Sequence, residues 1–253
     1  KFRIKSLDET LNDIQSIDPI QTIQVRRVFL CDGDPLIIDP QILSTILETL
    51  NVKFPRLQRV GIYANAGSIL NKSTEALQML KKRKLGIVYM GLESGDDVTL
   101  QKVRKGATSE EMVEAAAKIK EAGMKLNVTV LLGLGGLERS TIHAKKTMEI
   151  LNKMEPNHVA ALTLMTVPGT PLHSEYENKE FDMPDKFTLL EELRIMIELS
   201  ELNNALFFSN HASNYFSIQS RLPKDKESIL SKLESVLSSR DERSLRAEHM
   251  RGL

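Results

Sequence analysis

The sequence predicts an α/β protein, a partial (β/α)6 TIM-like barrel of parallel strands with C-terminal helices. Three observations predict it. Six short runs rich in β-branched and apolar residues are near-continuous in hydrophobicity, as suits parallel strands covered on both faces. Amphipathic helical patterns fill the gaps between the runs. The first five runs start at residues 25, 59, 86, 125 and 158, so successive starts lie 34, 27, 39 and 33 residues apart. Each interval has room for one strand and one crossover helix.

The elements follow in order. Leu7, Leu11, Ile14 and Ile17 form a helical stripe, with Ser6 as N-cap and Glu9 three residues on, a capping box. The first strand is expected over 25–31 as a buried strand that carries Cys31 as a core thiol. Ile42, Ile46 and Leu50 mark the next helix, and strand 59–64 follows. Leu77 and Leu80 mark a third helix before strand 86–92. Met112, Ala116 and Ile119 mark a fourth, closed by Gly123 just past its end. Strand 125–132, helix 141–154, strand 158–165 and helix 189–202 complete the repeating pattern. A shorter strand is expected over 205–209 and a late helix over 223–237, with Pro223 near its start. The barrel is expected over 1–204, with a C-terminal extension over 205–253 packed on it and a mobile tail from 240.

Composition narrows the function classes. The 253 residues suit one large barrel, and 41% hydrophobic content supplies a core. Lys+Arg 34 against Asp+Glu 34 leaves no net charge, so nothing points to a nucleic-acid or membrane partner. One cysteine makes no internal disulfide, which favours a reducing, cytoplasmic compartment. No apolar run approaches the ~18 residues that span a bilayer. The chain begins at Lys1 rather than Met, directly before a helical pattern, and reads as part of a longer chain.

Polar and glycine residues gather at the predicted strand ends, where α/β folds bind ligands. The first strand runs into Asp32-Gly33-Asp34-Pro35, and the second into Tyr63-Ala64-Asn65. The third ends in Gly91-Leu92-Glu93-Ser94-Gly95, and the fourth in Gly133-Leu134-Gly135-Gly136. The fifth leads into Val167-Pro168-Gly169-Thr170-Pro171, and the last into Asn210-His211-Ala212-Ser213-Asn214. Six such loops in phase predict one cavity. Each loop also has a plainer reading. Asp32 and Asp34 are able to cap the next helix, and Glu93 to pair with a nearby lysine. Arg104 and Lys105 suit a helix end through the dipole. Histidine as a residue type moves protons near neutral pH, and His211 is the candidate for substrate-side proton transfer; the alternative is a structural loop histidine. Tyr63, Asn65, Asn127, Asn210 and Asn214 are the substrate-side candidates. The remaining histidines have no company that suggests a metal site.

These motifs resemble the radical S-adenosylmethionine (radical SAM) enzymes, and the resemblance covers nearly the whole chain. Asp32-Gly33-Asp34-Pro35 is similar to the family's Gly-Gly-Glu-Pro motif, with Asp32 in place of the first glycine and Asp34 in place of the glutamate. Gly91-Leu92-Glu93-Ser94-Gly95 resembles the segment of the methylthiotransferases and the oxygen-independent porphyrinogen oxidase. Gly133 to Gly136 stands where related enzymes carry Gly-Leu-Pro-Gly, and the Pro168-Gly169-Thr170-Pro171-Leu172 turn is common in the same group. The ending Arg251-Gly252-Leu253 looks like the natural end of one branch of the family.

The resemblance implies an S-adenosylmethionine site. Asp34, with the backbone near Asp32 and Gly33, would hold its ammonium group. Glu93 and Ser94 would face the nucleoside, Lys105 or Arg104 the carboxylate, and Gly133 and Gly135 the adenine. It also implies a [4Fe-4S] cluster that reduces S-adenosylmethionine to a 5′-deoxyadenosyl radical, which takes a hydrogen atom from a substrate. An electron donor such as flavodoxin or ferredoxin and a small-molecule or peptide substrate would be the partners. The family's Cys-x3-Cys-x2-Cys motif is missing, and Cys31 alone cannot hold the cluster. The first strand and the cluster loop are therefore expected upstream of Lys1. Two other readings stay open. One is a metal-dependent β/α-barrel aldolase or isomerase using Asp32, Asp34 and Glu93. The other is a cluster-free nucleoside-binding module.

Overall fold

The structure, a computed structural model, describes residues 3–252; Lys1, Phe2 and Leu253, and with them the last residue of the Arg251-Gly252-Leu253 ending, lie outside the described residues. In chain order the elements begin with α1 (Leu7–Ser16), α2 (Pro19–Thr22), β1 (Arg27–Leu30), α3 (Pro40–Lys53) and β2 (Arg59–Tyr63). Then come α4 (Ala66–Leu70), α5 (Thr74–Lys82), β3 (Leu85–Glu93), α6 (Asp97–Lys102), α7 (Ser109–Glu121) and β4 (Lys125–Leu132). The chain continues through α8 (Gly136–Met154), β5 (His158–Thr163), α9 (Pro171–Glu177), α10 (Lys186–Glu198), β6 (Ala205–Phe208), β7 (Gln219–Leu222) and α11 (Lys226–Ser239). The seven strands follow one another in sequence order in a mostly parallel sheet that does not close. This is the α/β architecture the sequence predicts.

The chain divides into two compact units, Lys1–Met90 with Glu114–Asn127, and Gly91–Val113 with Val128–Leu253. In the first, β1 pairs in parallel with β2, and β2 with β3. Val60, Ile62, Leu85, Val88 and Met90 are completely buried on one sheet face, and Leu43, Leu47, Leu77 and Leu80 of the helices are equally buried. The Ser6 capping box forms as predicted, with the Ser6 hydroxyl accepting from the Glu9 amide and the Glu9 carboxylate accepting from the Ser6 amide. In the second unit, β5 pairs in parallel with β6, and β6 with β7 in antiparallel fashion. α10 packs on both α8 and α11.

Three expectations need correction. β1 is not a buried strand: among the described residues it pairs with β2 at the sheet edge, and its burial alternates between exposed and half-buried. Cys31 lies beyond the end of β1 and is exposed, so it is no core thiol. β7 was absent from the expected strands because its residues, Gln-Ser-Arg-Leu, lack an apolar run. It forms because β6 offers a free edge, with Phe207 facing Ser220 across the pair. Two arginines of the tail from 240 bond to the loop that follows β6. Arg246 donates to the carbonyls of His211, Ala212 and Asn214. Arg251 donates to the Ser213 carbonyl at 2.7 Å and stacks over the Tyr215 ring.

Candidate functional site

In the first unit the chain leaves β1 through two left-handed residues, Asp32 (φ 72°) and Gly33 (φ 81°). Aspartate is among the few residues with a side chain that tolerate this region. That explains how Asp32 stands where the family motif has glycine. Asp34 follows with no capping bond from its side chain. Asp39 caps α3 instead, its Oδ1 accepting from the amides of Gln41 (2.8 Å) and Ile42 (3.3 Å).

Asp34 is poorly served by the protein. Its Oδ1 lies 3.1 Å from the Ser68 hydroxyl, but that hydroxyl also lies 3.0 Å from the Asn65 carbonyl. One O–H proton serves one acceptor at a time. Asp34 Oδ2 is buried and, among the described residues, has no hydrogen-bond partner. Such an atom forfeits about 1–3 kcal/mol of solvation that a bound donor would restore. The buried Lys72 ammonium is occupied by the Ile38 carbonyl at 2.9 Å. Burial pushes the Lys72 pKa down, while Asp39 and Asp34 counteract that. Asp32, Asp34, Cys31 and Phe29 border a cleft of about 410 Å³. An ammonium group fits Asp34 Oδ2, because it brings three donors and a positive charge to an unserved carboxylate oxygen.

Of the other candidates in this unit, Asn65 caps α4, its side chain accepting from the Ser68 amide at 2.8 Å. Tyr63 is 45% exposed, and Asn127 is buried.

In the second unit Glu93 adopts the left-handed region (φ 63°), and the Ser94 amide turns back to the Leu92 carbonyl at 2.8 Å. A glutamate held there is strained by roughly 1–3 kcal/mol, a mark of functional sites. Its Oε1 accepts from the Lys105 ammonium at 3.0 Å, both side chains about one-fifth exposed. The pair occupies the space a Cβ on Gly91 would need. Gly95 has a different reason: a Cβ there would strike the α8 backbone at Lys146 and Thr147. Glu93, Lys105, Arg104, Thr166 and Thr170 line one cleft of about 430 Å³. Arg104 is exposed beyond the end of α6.

Ser94 corrects an expectation. It is completely buried, so its side chain does not face a ligand. Its hydroxyl lies 2.8 Å from His143 Nδ1 and accepts the Asp96 amide at 3.0 Å. His143 Nε2 lies 3.0 Å from the Leu131 carbonyl, which only accepts. Nε2 therefore carries the proton, and Ser94 donates to Nδ1. Burial pushes the His143 pKa down to about 4, so the ring is neutral at ordinary pH. Its 3.9 Å approach to Glu192 is accordingly not an ion pair. Glu192 is completely buried on α10 and accepts from the Gly133 amide and the Ser140 hydroxyl, both at 2.7 Å. Burial raises its pKa to about 7 against these two bonds. Gly133 (φ 85°) takes a backbone form open to glycine, and a Cβ there would press on Leu189. A Cβ on Gly135 would press on His143. Asp96, 2% exposed, receives both arms of Arg139 at 2.9 and 3.0 Å.

The sequence reading missed Asp96, Arg139, His143 and Glu192. Glu192 had a signal, an acid inside the apolar run Leu189 to Ile197. His211 sits half-buried, its Nδ1 accepting from the Ser213 amide at 3.2 Å, a partner within its own loop. Asn214 is buried, accepting from the Thr163 hydroxyl at 2.8 Å and donating to the Ala161 carbonyl at 2.9 Å, so its amide is engaged inside the protein rather than turned to a substrate. Asn210 is exposed.

A family model described as the radical SAM superfamily matches residues 1–148, and the chain belongs to that family. The heme chaperone HemW of Bacillus subtilis is 19% identical over 237 residues, covering 86% of this chain and 62% of that protein. A protein of Methanocaldococcus jannaschii that bears the name of a threonylcarbamoyladenosine tRNA methylthiotransferase is 24% identical over 66% of this chain and 39% of its own length. The chain thus spans less than two thirds of either relative. Among solved structures, the coproporphyrinogen III oxidase HemN of Escherichia coli superposes with a TM-score of 0.60 at 14% identity, over 76% of this chain and 44% of that one. Elp3 of Methanocaldococcus infernus gives 0.57 at 14% identity, over 90% and 58%. These structures share the fold.

The family uses S-adenosylmethionine and a [4Fe-4S] cluster. Asp34 fits the first. The second does not fit these residues, since a cluster needs several thiolates and Cys31 is the single cysteine. Among the described residues no three His, Cys, Asp or Glu side chains gather to hold a metal ion. No helix among the described residues is long and apolar enough to cross a membrane.

Proposed function

We propose that this chain holds S-adenosylmethionine for the radical chemistry of its family, acting on a small-molecule or peptide substrate. The observation that carries the reading is the buried Asp34 Oδ2, which has no donor among the described residues. The ammonium group donates to that oxygen, with the backbone at Asp32 and Gly33 beside it. In the second unit, Glu93 is the candidate for the nucleoside, Lys105 or Arg104 for the carboxylate, and Gly133 and Gly135 for the adenine. His211 and Asn210 remain substrate-side candidates. The cluster thiolates, a reductant such as flavodoxin or ferredoxin, and a cytoplasmic setting belong to the same proposal.

The test is equilibrium dialysis of S-adenosylmethionine against the anaerobically purified full gene product. Asp34→Ala is expected to weaken binding at least about tenfold, the loss of one charged hydrogen bond of about 1.5–3 kcal/mol, with an unchanged circular dichroism spectrum. Equal affinity of wild type and variant removes the ammonium role. Sequencing that product and reconstituting it with iron and sulfide tests for the Cys-x3-Cys-x2-Cys motif. No such motif and no dithionite-bleached absorbance would return the chain to a cluster-free module.

A further inference from the structure

The first unit carries a second feature on the sheet face opposite its buried core, and it adjoins the Asp34 cleft through Phe29. Phe29 of β1, Tyr63 of β2 and Tyr89 of β3 meet edge to face. Their ring centroids lie 4.7, 5.0 and 6.1 Å apart, with interplanar angles of 72°, 81° and 80°. Register puts them on one face, since Phe29 pairs with Gly61 and Tyr63 with Tyr89. Phe29 lies where a Cβ of Gly61 would be, so the glycine lets the ring lie across the neighbouring strand. The opposite face holds Val60, Ile62 and Val88 at zero exposure, whereas Phe29 is 38% and Tyr63 45% exposed. Parallel sheets are normally covered on both faces, and an open cluster of aromatic rings marks a binding surface.

The polar groups on the same face lack partners in the protein. Neither tyrosine hydroxyl makes a hydrogen bond among the described residues. Arg27 and Arg59, paired with each other in register, stand two residues before Phe29 and Gly61 on the same side of their strands. That is about 7 Å along the strand at ~3.3 Å per residue. Neither guanidinium has a carboxylate or carbonyl partner among the described residues. The Arg59 stem lies across Gly86 of β3, so it follows the sheet surface rather than leaving it. Three rings at right angles offer both π faces and edges to a flat ring. Two unpaired guanidiniums call for an anion and bind a carboxylate or phosphate in forked geometry.

We propose that this face binds the substrate, and that the substrate is a flat conjugated ring carrying a carboxylate or phosphate. The ring packs against Phe29, Tyr63 and Tyr89. Its anionic group points along the strands toward Arg27 and Arg59, away from the acids Asp32 and Asp34 that follow β1. The assignment as substrate rests on the reading of the chain as an S-adenosylmethionine enzyme; the binding itself does not.

The test uses two probes with one ring and opposite charges, naphthalene-2-carboxylate and naphthalen-2-ylmethylammonium, titrated into the full gene product carrying 13C-ring tyrosine. The chain has four tyrosines, few enough for each ring signal to be assigned by single Tyr→Phe changes. The carboxylate is expected to shift the Tyr63 and Tyr89 signals, to leave Tyr176 and Tyr215 in place, and to bind at least tenfold tighter than the ammonium. Phe29→Leu and Tyr63→Leu are each expected to weaken the carboxylate severalfold. Arg27→Gln with Arg59→Gln is expected to abolish the preference for the anion while the ring still binds. Asp34→Ala is expected to leave naphthalene-2-carboxylate binding unchanged while it weakens S-adenosylmethionine, so the two proposals fail separately. Equal affinity for the two probes, or shifts confined to tyrosines other than Tyr63 and Tyr89, would overturn the assignment, as would a full gene product in which this face takes up neither probe.

Discussion

Asp34 in the first unit and Glu192 in the second are both acids with buried oxygens, and the protein treats them differently. Glu192 accepts from the Gly133 amide and the Ser140 hydroxyl, one bond to each oxygen. Asp34 shares one hydroxyl with a carbonyl and has a second oxygen with no donor. A satisfied buried acid holds structure, here the Gly133 loop and the α8–α10 contact. An unsatisfied one is a cost that a ligand removes. The contrast separates structural from binding residues better than residue type does. Ser94 stands in the sharpest sequence motif, yet its hydroxyl is tied to His143.

The comparison breaks first at Glu192. Glu192→Ala leaves the Gly133 amide and the Ser140 hydroxyl without their acceptor. At about 1–3 kcal/mol for each of the two unpaired groups, urea unfolding should show a loss of about 2–6 kcal/mol. Asp34→Ala should not lower stability, because it removes a buried oxygen that has no donor and leaves the Ser68 hydroxyl its Asn65 carbonyl. Equal losses in the two variants would sink the distinction.

A smaller effect separates the two motif glycines. Gly95→Ala pushes a methyl group into the Lys146–Thr147 backbone, which cannot move aside. Overpacking of this kind costs typically 1–3 kcal/mol. Gly91→Ala meets only the ends of Glu93 and Lys105, which swing away. Its stability should hold within about 0.5 kcal/mol, while the ion pair opens. Thermal unfolding of both variants checks the order.

The subtlest test is in pH. Glu192 is raised to about 7 from 4.5, so its share of stability is full below about 4.5 and is lost as pH rises through about 7. His143 is lowered to about 4 from 6.5, so its share is present above about 6.5 and is lost as pH falls through about 4. Between pH 4.5 and 6.5 the two slopes oppose each other, and together they contribute little net pH dependence. Glu192→Gln should expose the His143 slope, with stability rising from pH 4 to 6.5. His143→Gln should expose the reverse, a fall between pH 4.5 and 7. Each slope is on the order of 1–3 kcal/mol. Parallel pH profiles in the two variants would show that the groups do not titrate as assigned.

Much of this protein was legible in the sequence. The βα spacing, the Ser6–Glu9 capping box and the acid-glycine loop after β1 are local patterns, written in neighbouring residues and read through helix and strand periods. The two glycines of Gly91-Leu92-Glu93-Ser94-Gly95 were visible as a motif, but not their separate reasons, which lie with Lys105 and with the α8 backbone. Tertiary structure alone decided that β1 is an edge strand and Cys31 exposed, that β7 joins β6, and that Ser94 and Asn214 turn inward. It also decided that His143 and Glu192 hold the Gly133 loop and that Asp34 keeps an unserved oxygen. The physical reason is the same in each instance. Burial and hydrogen-bond satisfaction depend on partners that fold from distant positions, such as residue 192 against 133 and 140, and no local period encodes them.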